Sequence, residues 1–250
     1  MPVYTTSAIV LRRMNFGETD RIVTLYSREY GKLGAIAKGA RKGLSRFAAA
    51  TELLAYGRYQ LATGRTLDVL SQVEIKESFP SIHTNLSKVA HATYLAELVD
   101  KMLEERDPNP NIFDLLLSTL YLMERPNDPE KITLMFELQF MKALGYEPIL
   151  DRCLRCGASQ SNSTELFFSP SLGGLVCRVC GPLPEDAIPI TGPAVRAMQE
   201  LISADARAVE QMEIPPATIS QISHVMRWYI RYRADRDMKS REFLDSLKLG

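Results

Sequence analysis

The chain has 250 residues, 46% hydrophobic, 24% charged and 8% aromatic. That composition excludes a disordered, fibrous or membrane-embedded protein and describes a globular one long enough for two or three folded units. The net charge of zero hides an asymmetry: residues 1 to 80 carry 12 Lys and Arg against 7 Asp and Glu, the remainder 18 against 23, which points the first region toward a polyanionic partner.

The opening stretch MPVYTTSAIVLRR lacks a basic segment followed by an apolar run and a small-residue cleavage site. No apolar stretch approaches membrane-spanning length, so the expected location is the cytoplasm, with no membrane partner. In the first third, short apolar or alternating runs predict five strands, at Ser7 to Leu11, Arg21 to Ser27, Leu33 to Lys38, Tyr56 to Ala62 and Leu67 to Ile75. Gly31, Gly39, Gly43, Gly57 and Gly64 fall between or at the ends of these runs. Five strands fit a small oligonucleotide-binding (OB) barrel, and an SH3-like barrel fits nearly as well.

After Pro80 the period becomes helical. Leu95, Leu98, Val99, Met102 and Leu103 outline one helix, and Phe113, Leu116, Leu117 and Leu120 a second. A third is marked by Asp128 as N-cap, Pro129 at its first position, an apolar face of Ile132, Met135, Phe136, Phe140, Ala143 and Leu144, and Gly145 as its stop. Further on, Ile219, Ile222, Met226, Tyr229, Ile230 and Arg233 outline an amphipathic helix. Ser240 is the expected N-cap of a last helix carrying Phe243, Leu244 and Leu247.

All four cysteines fall into two Cys-x-x-Cys pairs, Cys153 with Cys156 and Cys177 with Cys180. Two intervening residues let both thiolates of a pair reach one tetrahedral ion, and an intervening hairpin brings the second pair opposite, so the pattern predicts one structural zinc ion. Gly157 and Gly181 follow each pair, where a knuckle turn favours a residue without Cβ. Disulfides and a thioredoxin-like redox pair are the competing readings, disfavoured by a reducing compartment and by the presence of two pairs. Four thiolates close the coordination shell and leave no open position for catalysis.

His83, His91 and His224 stand outside any metal-hydrolase or deaminase motif, and no phosphate loop, nucleophile elbow or dinucleotide fingerprint occurs. The chain is therefore not expected to be an enzyme. Glu18 and Asp20 read as turn residues that satisfy backbone donors. Tyr26, Tyr56 and Tyr59 could stack on bases, but strand aromatics more often fill a core, and that reading is preferred for all three. The segment Lys38 to Arg46, KGARKGLSR, holds Lys38, Arg41, Lys42 and Arg46 with two glycines and no acid. An exposed, mobile loop of this kind suits a run of phosphates.

The stretch AIVLRRMNFGETDRIVTLYSREYGKLGAIAKGARKGLSRFAAATELL closely resembles the N-terminal pattern of the bacterial RecO recombination mediators, and the likeness continues through the paired cysteines to KSREFLDSL. The resemblance implies an α+β multidomain protein: an N-terminal OB-fold barrel at 1–80, an α-helical domain at 81–150 and 183–250, and a four-cysteine zinc-binding lobe at 151–182 inserted into it. It also implies a nucleoid-associated protein that binds single- and double-stranded DNA, anneals complementary strands, and works with RecR and single-stranded DNA-binding protein to load RecA. The family's basic loop corresponds to Lys38, Arg41, Lys42 and Arg46, with Arg12, Arg13, Arg21 and Arg65 as further candidate DNA contacts. Contact with the single-stranded DNA-binding protein is expected on the helical domain, without assigned residues. An RNA-binding zinc-ribbon accessory factor is the alternative, since the same barrel and loop would serve RNA.

Overall fold

The computed structural model describes residues 2–159, 165–234 and 238–247. Its strands and helices follow in chain order as β1 (Val3–Phe16), β2 (Asp20–Ser27), β3 (Gly31–Ala37), β4 (Tyr56–Ala62), β5 (Asp68–Glu77), α1 (Pro80–Thr84), α2 (Leu86–Met102), α3 (Pro110–Glu124), α4 (Pro129–Ala143), β6 (Leu166–Ser169), β7 (Gly174–Cys177), β8 (Ile188–Ile190), α5 (Gly192–Ser203), α6 (Ala206–Gln211), α7 (Pro216–Ala234) and α8 (Lys239–Leu247).

The first five strands close into a barrel in the order β1-β2-β3-β5-β4, with β3 and β5 parallel and the other neighbours antiparallel. This is an OB-fold barrel. Period-two alternation drives it: along β3, Leu33, Ala35 and Ala37 are buried while Lys32, Gly34 and Ile36 are only half-buried. Val10, Val23, Leu25, Leu61 and Tyr59 complete the interior. Tyr26 and Tyr59 are fully buried, and Tyr59 donates its hydroxyl to the carbonyl of Ala50 at 2.8 Å. Tyr56 is half-buried, its ring 6.3 Å from that of Phe113.

The chain divides into two compact units. One compact unit comprises residues 1–126 with 238–250, the other 127–237. The barrel is tied to α2 and α3 by specific contacts, and α1 and α8 pack on α2. α2 packs on β1, Tyr26 donates to the carbonyl of Asn109 at 3.0 Å, and Arg28 grips Asp114 through Nε and Nη2 at 3.0 and 2.9 Å. Asp68, wholly buried, accepts from the Tyr4 hydroxyl, from Gly64 N–H at 3.0 Å and from Arg106 at 2.8 Å. Burial alone would push its pKa up, but the Tyr4 and Gly64 donors and the Arg106 guanidinium hold it below the usual carboxylate range.

Ser240 is not the cap of α8. The helix begins at Lys239, and its first turn is met by Glu97 of α2, which accepts from Lys239 N at 3.3 Å, Ser240 N at 2.8 Å and the Ser240 hydroxyl. A carboxylate there satisfies orphan donors and the positive end of the helix dipole together.

In the second unit α4 is the central helix, with Ile132, Leu134, Phe136, Leu138 and Phe140 all buried. Its start is as expected: the Asp128 side chain accepts from Glu130 N, Pro129 opens the helix, and Gly145 follows it at φ +81°. α5, α6 and α7 pack on it. A small sheet, ordered β7-β6-β8, carries the cysteine segment, and Phe168 meets Tyr229 of α7 edge to face.

Candidate nucleic-acid interface and metal centre

β3 ends at Ala37 and the chain runs through successive turns to Phe47. Ala40 and Phe47 are buried, so the loop is anchored in the barrel core at two points while Lys38, Arg41, Lys42 and Arg46 all remain exposed. Gly39 at φ +67° makes the first turn. Backbone bonds from Lys42 N to Gly39 O (3.1 Å), Ser45 N to Lys42 O (2.9 Å) and Ala48 N to Ser45 O (3.1 Å) hold the rest.

A second set of bonds fastens this loop to the β1–β2 turn. Arg41 donates its amide to Thr19 O at 2.8 Å and Nη1 to Gly17 O at 3.0 Å, and Gly39 N–H donates to Asp20 Oδ1 at 2.8 Å. Asp20 thus acts as a turn carboxylate that satisfies a backbone donor, as its position predicts. The Gly39 and Thr19 donors, with Lys38 and Lys42 adding, hold it below its ordinary pKa. Arg46 donates to Ser71 O at 3.0 Å and lies 4.7 Å from the Phe47 ring centre. Among the described residues none of the four loop cations is within ion-pair distance of a carboxylate.

The further candidates are placed differently. Arg21, its side chain only 14% exposed, bridges Glu52 (3.0 Å), Thr51 Oγ1 (2.8 Å) and Ala48 O (3.3 Å), which makes it a structural clamp on the end of the loop. Arg13 shares Glu52 at 2.6 Å, and Arg12 is paired with Asp100 at 3.4 Å. Arg65 is exposed between β4 and β5. Sequence reasoning missed Met14 and Phe16, 53% and 50% exposed on a β1 that runs five residues past its expected end at Leu11.

The second candidate site is convergent. The sulfurs of Cys153, Cys156, Cys177 and Cys180 all lie within 4.8 Å of one another. Cys153 to Cys180 and Cys156 to Cys177 are each 3.7 Å, too far for a disulfide bond of ~2.05 Å. The edge of a tetrahedron whose centre is ~2.3 Å from each sulfur is about 3.8 Å, so the set fits one tetrahedral ion.

Both knuckle glycines are at positive φ, Gly157 at +73° and Gly181 at +142°. Nothing lies within 4 Å of a Cβ built on Gly157, so the backbone angle, not space, demands glycine there. The first knuckle closes through Cys153 N to Ala158 O (2.8 Å) and Gly157 N to Cys153 O (2.9 Å), and docks on β7 through Leu154 N to Leu175 O (2.9 Å). Burial pushes the Cys153 thiol up, but backbone N–H groups of Cys156, Arg155 and Cys177 pull it down to about 6. The hydrogen bond with Cys177 and then burial push Cys180 up to about 12. The apolar cluster around the thiols is small, Phe167 and Val176 with Leu183 and Ala187 alongside, so a bound ion would supply much of the lobe's cohesion.

The family models for the recombination protein O N terminus and C terminus match residues 1–79 and 83–242. The chain belongs to the RecO family. Its relatives include the "DNA repair protein RecO" of Symbiobacterium thermophilum, 41% identical across 99% of both chains. That of Pelotomaculum thermopropionicum is 36% identical over 98% of this chain and 94% of its own, and that of Desulfitobacterium hafniense strain DCB-2 36% identical over 96% and 88%. RecO membership connects the chain with DNA repair and makes an OB-fold barrel with an exposed cationic loop the natural place to look for nucleic acid. Among the described residues no helix is long and apolar enough to cross a membrane.

Proposed function

We propose that this chain is a recombination mediator in DNA repair. It binds single- and double-stranded DNA through the barrel loop and anneals complementary strands. With RecR it helps to load RecA onto DNA coated by single-stranded DNA-binding protein. The observation that carries this reading is the loop of Lys38, Arg41, Lys42 and Arg46, exposed and without ion-paired carboxylates, held in fixed turns on an OB-fold barrel.

Annealing needs no catalytic side chain. Cations that displace counterions lower the repulsion between two phosphate chains, and holding both strands raises their effective concentration. Arg65 extends the same positive surface, Arg12 and Arg13 add to it less because Asp100 and Glu52 pair with them, and Arg21 acts by fixing the loop end. The thiol cluster holds one zinc ion, because four thiolates in tetrahedral arrangement suit that metal, and the ion stabilises the second unit without taking part in annealing.

The test is annealing of complementary strands coated with single-stranded DNA-binding protein, without nucleotide. Wild type is expected to accelerate it, and a folded variant with Lys38, Arg41, Lys42 and Arg46 changed to Glu is expected to lose the acceleration. No acceleration by wild type, with tighter binding to structured RNA, would overturn the reading in favour of RNA. Acceleration by both proteins would move the DNA site off the loop.

A further inference from the structure

β1 outruns the barrel. It pairs with β4 only from Val3 to Ile9, whereas its pairing with β2 continues to Phe16 opposite Asp20. Arg12 to Phe16 therefore form an edge strand carried on β2, and every residue from Arg12 to Glu18 is exposed. Side chains alternate across a strand, so Met14 and Phe16 share one face with Arg12, and Arg13 and Asn15 take the other. Charge on an exposed edge guards against unwanted pairing, which accounts for the two arginines. It does not account for a methionine and a phenylalanine half in water, and neither joins the barrel core.

The position of this tip narrows what it can meet. Gly17 and Thr19, next to Phe16, accept the side chain and amide of Arg41, and Asp20 accepts Gly39 N–H. The exposed ring and the cationic loop are thus parts of one hydrogen-bonded surface. Four carboxylates lie near it: Glu18, exposed at the turn, Asp20, already engaged by Gly39 and Thr19, and Asp100 and Glu52, already paired with Arg12 and with Arg13 and Arg21. Against them stand Lys38, Arg41 and Lys42. A polyanion that also offers flat apolar faces matches both halves of this surface, and unpaired bases on a phosphate chain are that ligand. Duplex DNA hides its base faces in the stack and matches the cations alone.

We infer that Phe16, backed by Met14, is a stacking platform for an unpaired base of single-stranded nucleic acid whose phosphates lie along Lys38, Arg41 and Lys42. The inference rests on the DNA-binding reading above and adds to it a residue that separates single strands from duplex. The loop reads charge, which both forms carry; the ring reads a base face, which only one presents.

The experiment is titration of fluorescently labelled single-stranded and duplex oligonucleotides of equal length at several salt concentrations, with wild type, Phe16→Ala, Phe16→Trp and the loop variant carrying Glu at 38, 41, 42 and 46. Phe16→Ala is expected to weaken single-strand binding about tenfold, the scale of losing one stacked base. Duplex affinity should stay as it was, and so should the slope of affinity against salt, since no charge is removed. Phe16→Trp should keep the affinity and show indole fluorescence quenched by the single strand and not by the duplex. Unchanged single-strand binding by Phe16→Ala, or equal losses on both forms, would overturn the inference while leaving the loop reading intact. If wild type binds neither form, both readings fail together.

Discussion

The cationic loop and the thiol cluster are both turn-rich segments fastened by backbone hydrogen bonds, yet they point their functional atoms in opposite senses. In the knuckles the turns aim four sulfurs at one point, with separations of 3.7 Å set by Cys153 N–H, Gly157 N–H and the dock onto β7. In the loop the turns bury Ala40 and Phe47 and send four cations outward. Convergence makes a closed shell of four thiols that could hold a metal ion. Divergence leaves charge for something longer than the loop itself. The same backbone devices, positive-φ glycine and short-range backbone bonds, thus build a convergent thiol cluster or an outward-facing cationic loop according to where the side chains are sent.

Four perturbations would break or sharpen that contrast. The largest effect on stability is expected from Cys153→Ser with Cys177→Ser: loss of bound zinc and several kcal/mol of the second unit's stability, on the order of a structural metal's contribution to a small lobe. Metal analysis and calorimetry check it, and full metal content with unchanged melting would end the zinc assignment. Next is Asp68→Ala, which strands the donors of Tyr4, Gly64 and Arg106 and should cost about 2 kcal/mol in denaturant unfolding.

The loop variant with Glu at 38, 41, 42 and 46 should lower stability by roughly 1–2 kcal/mol, four exposed substitutions together with loss of the Arg41 and Arg46 bonds to Gly17 O and Ser71 O, and it is expected to abolish annealing. A large loss of stability there would mean that the loop is a structural element after all. The smallest effect is expected from Asp20→Asn, a slight fall in melting temperature from a weaker acceptor for Gly39 N–H. Both aspartates are held below their ordinary pKa. Their stabilisation is therefore complete above the unfolded value of about 4 and is lost as pH falls through the lower folded value. The melting-temperature differences between wild type and either variant should shrink in acid and be constant at neutral pH.

Much of this is legible in the sequence, for reasons that differ by region. β4 runs from Tyr56 to Ala62 as its alternation implies, and Asp128-Pro129 opens α4, because cap chemistry and strand period are local. The thiol cluster is readable from spacing alone. β6, β7 and β8 are not, since strands of three or four residues are too short to show a period. α5 escapes although Thr191 caps it and Val195, Met198 and Leu201 line its buried face, a signal that a cysteine-centred reading passes over. The exposed tip of β1 lies beyond the expected strand end because Arg12 and Arg13 end the apolar run, whereas pairing with β2 keeps the strand extended. Ser240 fails as a cap because a carboxylate 143 residues away takes that place, which no local pattern encodes.

That last contact sets an order of events during synthesis. The ribosome releases the barrel and α2 early, but Glu97 has no helix end to receive until α8 has emerged, after the whole of residues 127–237. The N-terminal unit is thus finished last. Nascent chains stalled before residue 238 should hold a closed barrel with only the α8-facing side of α2 uncovered while the cysteine lobe is being made.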